Sequence, residues 1–341
     1  MRALLLKTWV LTTVCMLVVA CVADNPSTKE MLKKVQWPAS PAKARVQYVK
    51  SFSSPEDLGI RKGFWQQLGE FFTGVEDLQL VRPMAITKTK HRLYVTDPGV
   101  KGVHLFDLEN NEYKIIRLKN NENLISPVSI VNDGDGGVYL SDSALARVLH
   151  IKAGSEFATI QELDAEFEQP TGLALNNQGE LFVVDTRRHQ VMKFNQAGDF
   201  ISVIGRRGVG EGEFNFPTML SINKNNQLLV TDSLNFRVQV FNQHGKFVRQ
   251  IGKLGSATGY QLRPKGIATD QAGNIYVVDS LFHNMQIFNS DGQFLLNVGE
   301  QGEALGQFWL PTGIHIDSQQ KIYIADSYNH RVQVLKTGML Q

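Results

Sequence analysis

The sequence has very little cysteine: two residues in 341, Cys15 and Cys21, both close to the N-terminus. No disulfide can therefore staple the remainder of the chain, and there is no Cys-x-x-Cys-His for haem attachment. Excess charge of one sign is also missing. The 35 Lys and Arg stand against 33 Asp and Glu, a formal charge of +2, which excludes a general electrostatic pull toward nucleic acid. With 11 Pro, 29 Gly and 43% hydrophobic residues, the composition excludes collagen-like and disordered chains. Only one long apolar stretch occurs, Trp9 to Ala20, so a polytopic membrane protein is excluded as well.

That stretch follows the basic residues Arg2 and Lys7 and ends Val18-Val19-Ala20-Cys21. A short apolar run after a positive start predicts a signal peptide over 1–20 rather than a membrane span. Small and aliphatic residues before a Cys at this distance resemble a bacterial lipobox. The resemblance implies cleavage before Cys21, lipid attachment to its thiol, and a location in the cell envelope outside the cytoplasm, in the periplasm or at the outer membrane. Removing 1–20 takes Arg2 and Lys7 and leaves 33 basic against 33 acidic residues. Residues 21–44, with Pro26, Pro38 and Pro41, are expected to form a flexible tether.

From residue 83 onward the chain repeats. A Pro opens each unit at 83, 127, 170, 217, 264 and 311, with gaps of 44, 43, 47, 47 and 47. An Asp closes the second apolar run at 97, 142, 185, 232, 279 and 326, with gaps of 45, 43, 47, 47 and 47. Two markers keeping step over six units identify a tandem fold. Within 264–299, four runs of β-branched and aromatic residues alternate with Gly, Asn and Asp turns: Pro264 to Ala268, Ile275 to Asp279, Met285 to Phe288 and Phe294 to Val298. That pattern predicts a four-stranded antiparallel meander with no room for a helical crossover.

The second run is apolar on consecutive residues, as in Leu181-Phe182-Val183-Val184 and Ile322-Tyr323-Ile324-Ala325. Both faces of each sheet must then be covered, and radial packing meets that demand. The expectation is an all-β, six-bladed β-propeller of four-stranded antiparallel blades spanning 45–341. Gly172, Gly266 and Gly313, two residues after the opening Pro, suit inner strands that crowd near an axis. Met219 breaks that rule and predicts a shifted inner end in its blade. The last unit lacks a fourth strand, and the strand-like segment 45–52 is expected to supply it and close the ring. Between closure and first blade, Phe64, Trp65, Leu68, Phe71 and Phe72 fall on one helical face, predicting a helix over 58–74.

The units Asp232-Ser233-Leu234-Asn235-Phe236-Arg237-Val238-Gln239-Val240-Phe241 and Asp326-Ser327-Tyr328-Asn329-His330-Arg331-Val332-Gln333-Val334 resemble NHL repeats. So do the Gly-spaced connectors 205–217 and 299–311, which end Phe-x-x-Pro. The first two units are weaker, Asp97-Pro98-Gly99-Val100 lacking the Asn and Arg. The whole chain is similar to exported bacterial NHL-repeat lipoproteins, a resemblance that implies fold more than activity.

Candidate sites divide by geometry. The six Asp lie a strand spacing outside the channel wall, too far apart to share one ion, so they are expected to cap their own turns and pair with Arg147, Arg237 and Arg331. Resemblance to NHL-type lyases implies zinc held by channel histidines, but only His315 falls on a first strand, while His189, His283 and His330 share one turn position in separate units. Resemblance to gluconolactonase-like propellers implies calcium held by inner acidic and amide groups. The residues after each Pro are Met84, Val128, Thr171, Thr218, Lys265 and Thr312, with no carboxylate. No cofactor is expected, calcium being the one alternative considered. Gly208-Val209-Gly210-Glu211-Gly212 joins strands and opens no helix, unlike a phosphate loop.

The turns between second and third strands share one face with the connectors between units. That face carries Arg187, Arg188, His189, Arg206, Arg207, Lys253, Arg263 and Lys265 together with Phe236, Phe282, Trp309 and Tyr328. A basic surface with aromatics suits an anionic protein, polysaccharide or lipid partner, the alternative being a merely solvated rim compensated by Glu211, Glu213, Glu300 and Glu303; nucleic acid is not expected outside the cytoplasm. The expected function is a lipid-anchored binding or scaffolding module. The alternative is a metal-dependent lactonase- or lyase-like enzyme working at the channel mouth.

Overall fold

The computed structural model describes residues 35–60, 79–119, 123–161 and 163–338. The expected signal peptide and lipid-bearing Cys21 lie outside the described residues, as does nearly all of the expected helix over 58–74. At its start the structure has a 3-10 turn, Glu56–Leu58, closed by the left-handed Gly59.

Strands dominate what is described. In chain order they are β1 (Gln36–Trp37), β2 (Val46–Phe52), β3 (Ala85–Lys88), β4 (Arg92–Asp97), β5 (Gly102–Asp107), β6 (Glu112–Leu118), β7 (Pro127–Asn132), β8 (Val138–Asp142), β9 (Arg147–Ile151) and β10 (Phe157–Ile160). Next come β11 (Pro170–Leu175), β12 (Leu181–Asp185), β13 (Gln190–Phe194), β14 (Phe200–Ile204), β15 (Pro217–Ile222), β16 (Leu228–Asp232), β17 (Arg237–Phe241) and β18 (Phe247–Ile251). Last are β19 (Pro264–Thr269), β20 (Ile275–Asp279), β21 (Asn284–Phe288), β22 (Phe294–Val298), β23 (Ile314–Ile316), β24 (Lys321–Asp326) and β25 (Arg331–Thr337).

Strands β11–β14, β15–β18 and β19–β22 form three separate four-stranded antiparallel meanders. Strands β3–β6 and β7–β10 are two further meanders, joined into one eight-stranded sheet by a parallel pairing of β6 with β10. The final sheet runs β1-β2-β25-β24-β23. Here β2 pairs antiparallel with β25, from Val46 opposite Thr337 to Phe52 opposite Val332, and puts the first long strand beside the last. The tether expected over 21–44 ends early: β1 hydrogen-bonds β2, so Gln36 and Trp37 belong to the sheet.

Burial is deepest in the second strands and lowest in the fourth. Every residue of β12, β16 and β20 is buried, the result of consecutive apolar positions covered on both faces. The fourth strands β14 and β18 are mostly exposed or half-buried. First strands pack against first strands of the neighbouring sheets, β3 on β7, β7 on β11, and so on to β23 on β3. A Cβ on Gly172 would stand 2.7 Å from the Met219 Cα. One on Gly266 would strike the Thr312 carbonyl, and one on Gly313 the Met84 carbonyl. Glycine at these places is thus required by backbone approach.

Met219 does not shift its sheet. Pro217 pairs with Asp232 and Leu220 with Val230, the same bulged register as Pro170 with Asp185 and Leu173 with Val183. Its side chain joins a cluster with Leu229, Ile267 and Ile275, and Val128 of the non-adjacent strand β7 packs on that cluster. Only a route across the centre connects β7 to these strands, so apolar side chains narrow the hollow there. In the connectors, Phe214 and Phe308 of the Phe-x-x-Pro ends are fully buried, anchoring each loop by roughly 2–3 kcal/mol of apolar burial.

Candidate functional site

The unit-closing aspartates hold the connectors that build the face. Asp97 accepts from the Val81 and Arg82 amides at 2.7 and 3.0 Å, Asp142 from Ile125 and Ser126, and Asp279 from Leu262 and Arg263. Each thereby fixes the loop that enters its own first strand. Burial pushes the Asp232 carboxyl above its ordinary range, outweighing bonds from Asn215, Asn235 and Arg237. The expected Arg partners are present at Arg237 (2.9 Å to Asp232) and Arg331 (2.8 Å to Asp326). Arg147 departs from the expectation: it is exposed and donates to the Ala146 carbonyl, because its side chain points away from Asp142.

The residue after four of the six Asp ties one sheet to the next. The hydroxyls of Thr186, Ser233, Ser280 and Ser327 donate to the carbonyls of Pro217, Pro264, Pro311 and Pro83. The turn histidines do related work. Nδ1 of His189 accepts from the Phe216 amide and Nδ1 of His283 from the Leu310 amide, while His330 bonds the Val81 carbonyl. All three sit at left-handed φ of 53–56°. They are spread around the face as inter-sheet links, and His189 is no part of a shared surface site.

The predicted basic residues separate into three groups. Arg188 is neutralised by Glu168 at 3.2 Å and also donates to the Glu166 carbonyl; Arg206 is neutralised by Glu213 at 2.9 Å. Lys253 lies over the Tyr260 ring at 4.6 Å, and Phe282 lines an outer groove of about 550 Å³ with Trp37 and Phe294. Phe236 is a half-buried left-handed residue closing the turn Ser233–Asn235. Arg187, Arg207, Arg263 and Lys265 have no carboxylate partner among the described residues.

Two of these converge. Arg263, Lys265 and Tyr328 line a cavity of about 340 Å³ at the mouth of the hollow, with Arg82, Met84, Ser126, Leu281, Leu310 and Thr312. Arg82 also lacks an acidic partner among the described residues. Lys265 is half-buried, and burial first, then Arg263 and Arg82, hold its ammonium below the usual lysine range. Trp309 stands 6.3 Å from Tyr328, both exposed beside the cavity. Sequence reasoning missed Arg82. Its signal was present: Arg82 and Arg263 each immediately precede a unit-opening Pro.

The mouth does not fit the cations that related folds imply. Its lining offers three positive side chains, hydroxyls and apolar groups, with neither carboxylate nor imidazole, so it repels calcium and zinc. Among the described residues, no group of three or more His, Cys, Asp or Glu could hold a metal. His315 is on β23 as expected, but its Nε2 is sealed without a partner and burial pulls its pKa down to about 4. The loop Gly208 to Gly212 spends its Gly210 amide on Glu213 and its Gly212 amide on Gln239, leaving those donors committed.

The family model described as the Teneurin NHL domain matches residues 114–308, and the NHL repeat model matches 308–335. No curated protein matches the chain. Among solved structures, an auxiliary nutrient binding protein from Bacteroides ovatus is similar at TM-score 0.60 and 13% identity, over 77% of this chain and 71% of that one. A gluconolactonase from Xanthomonas campestris reaches 0.59 at 13% identity, over 76% and 86%. Virginiamycin B lyase from Staphylococcus aureus reaches 0.56 at 13% identity, over 76% and 96%. At such identities the likeness is one of fold.

Proposed function

The chain belongs to the NHL-repeat propeller family, matching its Teneurin NHL domain model over more than half its length, and from that premise we propose that it is a binding module. In this reading the propeller has six blades. Three are the separate meanders, two share the eight-stranded sheet, and the sixth is completed by β2; the packing of β23 on β3 supports closure of the ring. Cys21 carries lipid and fastens the ring to a membrane outside the cytoplasm. Its loop face then meets an anionic partner in the cell envelope.

One observation carries the reading. The loop face carries Arg82, Arg263 and Lys265 without acidic partners among the described residues, near the exposed rings of Trp309 and Tyr328, and Arg187 and Arg207, equally unpaired, are exposed on its other loops. Unneutralised cations next to exposed aromatic surface favour docking of an anionic surface and speed its encounter. The donor set at the mouth gives no support to a metal-dependent lactonase or lyase. Crosslinking capture from the native envelope, comparing the native chain with an Arg187→Glu, Arg207→Glu variant, tests the proposal. The variant is expected to lose the captured partner. Unchanged capture, or stoichiometric calcium or zinc in the purified protein, would overturn it.

A further inference from the structure

Lys265 occupies a repeat position that three other units fill with Thr, the remaining two carrying Met84 and Val128. Thr171 and Thr312, each following an opening Pro, donate their hydroxyls at 2.8 Å to the Thr218 and Met84 carbonyls of the next sheet. Thr218 bonds the Ser233 hydroxyl at 2.7 Å. Lys265 makes none of these links. Where three units place a hydroxyl and two an apolar side chain, this one places a half-buried cation in the cavity that Arg82 and Arg263 also line. Gathering like charges in a partly dry cavity is costly unless an anion completes the arrangement. The Lys265 ammonium has no hydrogen bond or carboxylate partner among the described residues, so it is open to what enters the cavity.

The cavity also has an apolar side. Met84, Leu281, Leu310 and the Tyr328 ring share its wall with the three cations. Its volume of about 340 Å³ lies within the range that holds a small organic molecule. Further in, Met219 and Val128 belong to one apolar cluster that narrows the hollow below the mouth. Such a cavity suits a compact ligand with one strongly anionic end and one short apolar end.

We propose that the mouth cavity is a specific site for an oxyanion borne on a small apolar body, either a carboxylate or a phosphate monoester, held by Lys265, Arg263 and Arg82. The proposal deepens the binding-module reading and rests on it. Lys265 and the two guanidiniums surround the oxyanion, while Met84, Leu281 and Tyr328 cover the apolar body.

Calorimetric titration of the purified full chain with hexanoate, hexyl phosphate, inorganic phosphate and hexanol tests this. One or both hexyl anions are expected to bind, and which one does identifies the headgroup. Lys265→Thr, which installs the residue that three other units carry here, is expected to fold with a raised melting temperature and to bind at least about tenfold more weakly, as loss of a charge-assisted contact implies. Arg263→Gln should weaken binding in the same direction. Equal affinity of Lys265→Thr and the native chain, or no binding of either hexyl anion, would overturn the proposal. So would hexanol or inorganic phosphate binding as tightly as the hexyl anions. Envelope capture with the Arg187 and Arg207 variant reads the outer loop face separately, which keeps failure of the cavity apart from failure of the partner surface.

Discussion

The Ser327 hydroxyl donates to the Pro83 carbonyl at 2.6 Å, joining residues 244 positions apart. It is the same bond that Ser280 makes to Pro311 at 3.0 Å within consecutive sequence units. Ser327→Ala is therefore expected to cost what Ser280→Ala costs, about 1 kcal/mol for a buried hydroxyl link. Urea unfolding of the two variants checks this. A loss confined to Ser280→Ala would mean that the junction between last and first sheets is not a normal one.

Strand β2 closes the sheet that contains the C-terminal strand, burying Val46, Tyr48 and Phe52 against β25 and its neighbours. Deletion of 45–52 uncovers an edge and exposes three large side chains of roughly 2 kcal/mol each. The expected outcome is a melting temperature lowered by many degrees, or failure to fold, measured by calorimetry. An unchanged melting temperature would refute closure by this segment.

Gly266 lies where a Cβ would meet the Thr312 carbonyl, an atom that moves only with its strand. Gly266→Ala is expected to destabilise by about 2 kcal/mol or more, since overpacking against backbone forces the two inner strands apart. Denaturant midpoints give the measurement. Retained stability would contradict the close approach of β19 and β23.

His315 is held neutral, with its pKa pulled from 6.5 to about 4 by burial and by Lys88, against the opposing pull of Asp317. A folded-state value below the unfolded one means that the unfolded chain binds the proton more readily. The stability contribution is complete above pH 6.5 and declines as pH falls toward about 4, by about 3 kcal/mol in all. Asp317, whose pKa is itself lowered, loses its contribution only at lower pH. Between about pH 7 and pH 4.5 the melting temperature of the native chain should fall further than that of His315→Leu. A constant gap would show that His315 is not sealed.

Much of this architecture was legible because the repeat writes each physical requirement several times. An Asp near a fixed offset in every unit, with a Gly beside a crowded backbone and a buried Phe three residues before the Pro in three units each, corresponds to a bond or contact in the fold. The hydroxyl after the last four Asp was equally visible but carries its meaning only in space, since its acceptor belongs to another unit. The parallel pairing of β6 with β10 had no sequence signal, because outer strands meet through the splay of two sheets. Arg147 shows the limit of repeat logic: the residue type is kept while its side chain turns away.

The cationic mouth was half legible. Arg263, Lys265 and Tyr328 stood among the named face residues, but so did Arg188, Arg206 and His189, which the fold consumes internally. Whether a surface cation is spent on a nearby carboxylate depends on loop conformation. Arg82 was overlooked because it precedes the first unit, where the connector lacks the Phe-x-x-Pro signature of later ones.

The four hydroxyl-to-proline links all sit at the end of the ring where the cations gather. That rim is cross-tied before any guest arrives, so an incoming anion would meet charges already in position and lose little freedom in ordering them. Selectivity there would follow from a mould set during folding, with affinity limited by the guest's own dehydration rather than by rearrangement of its host.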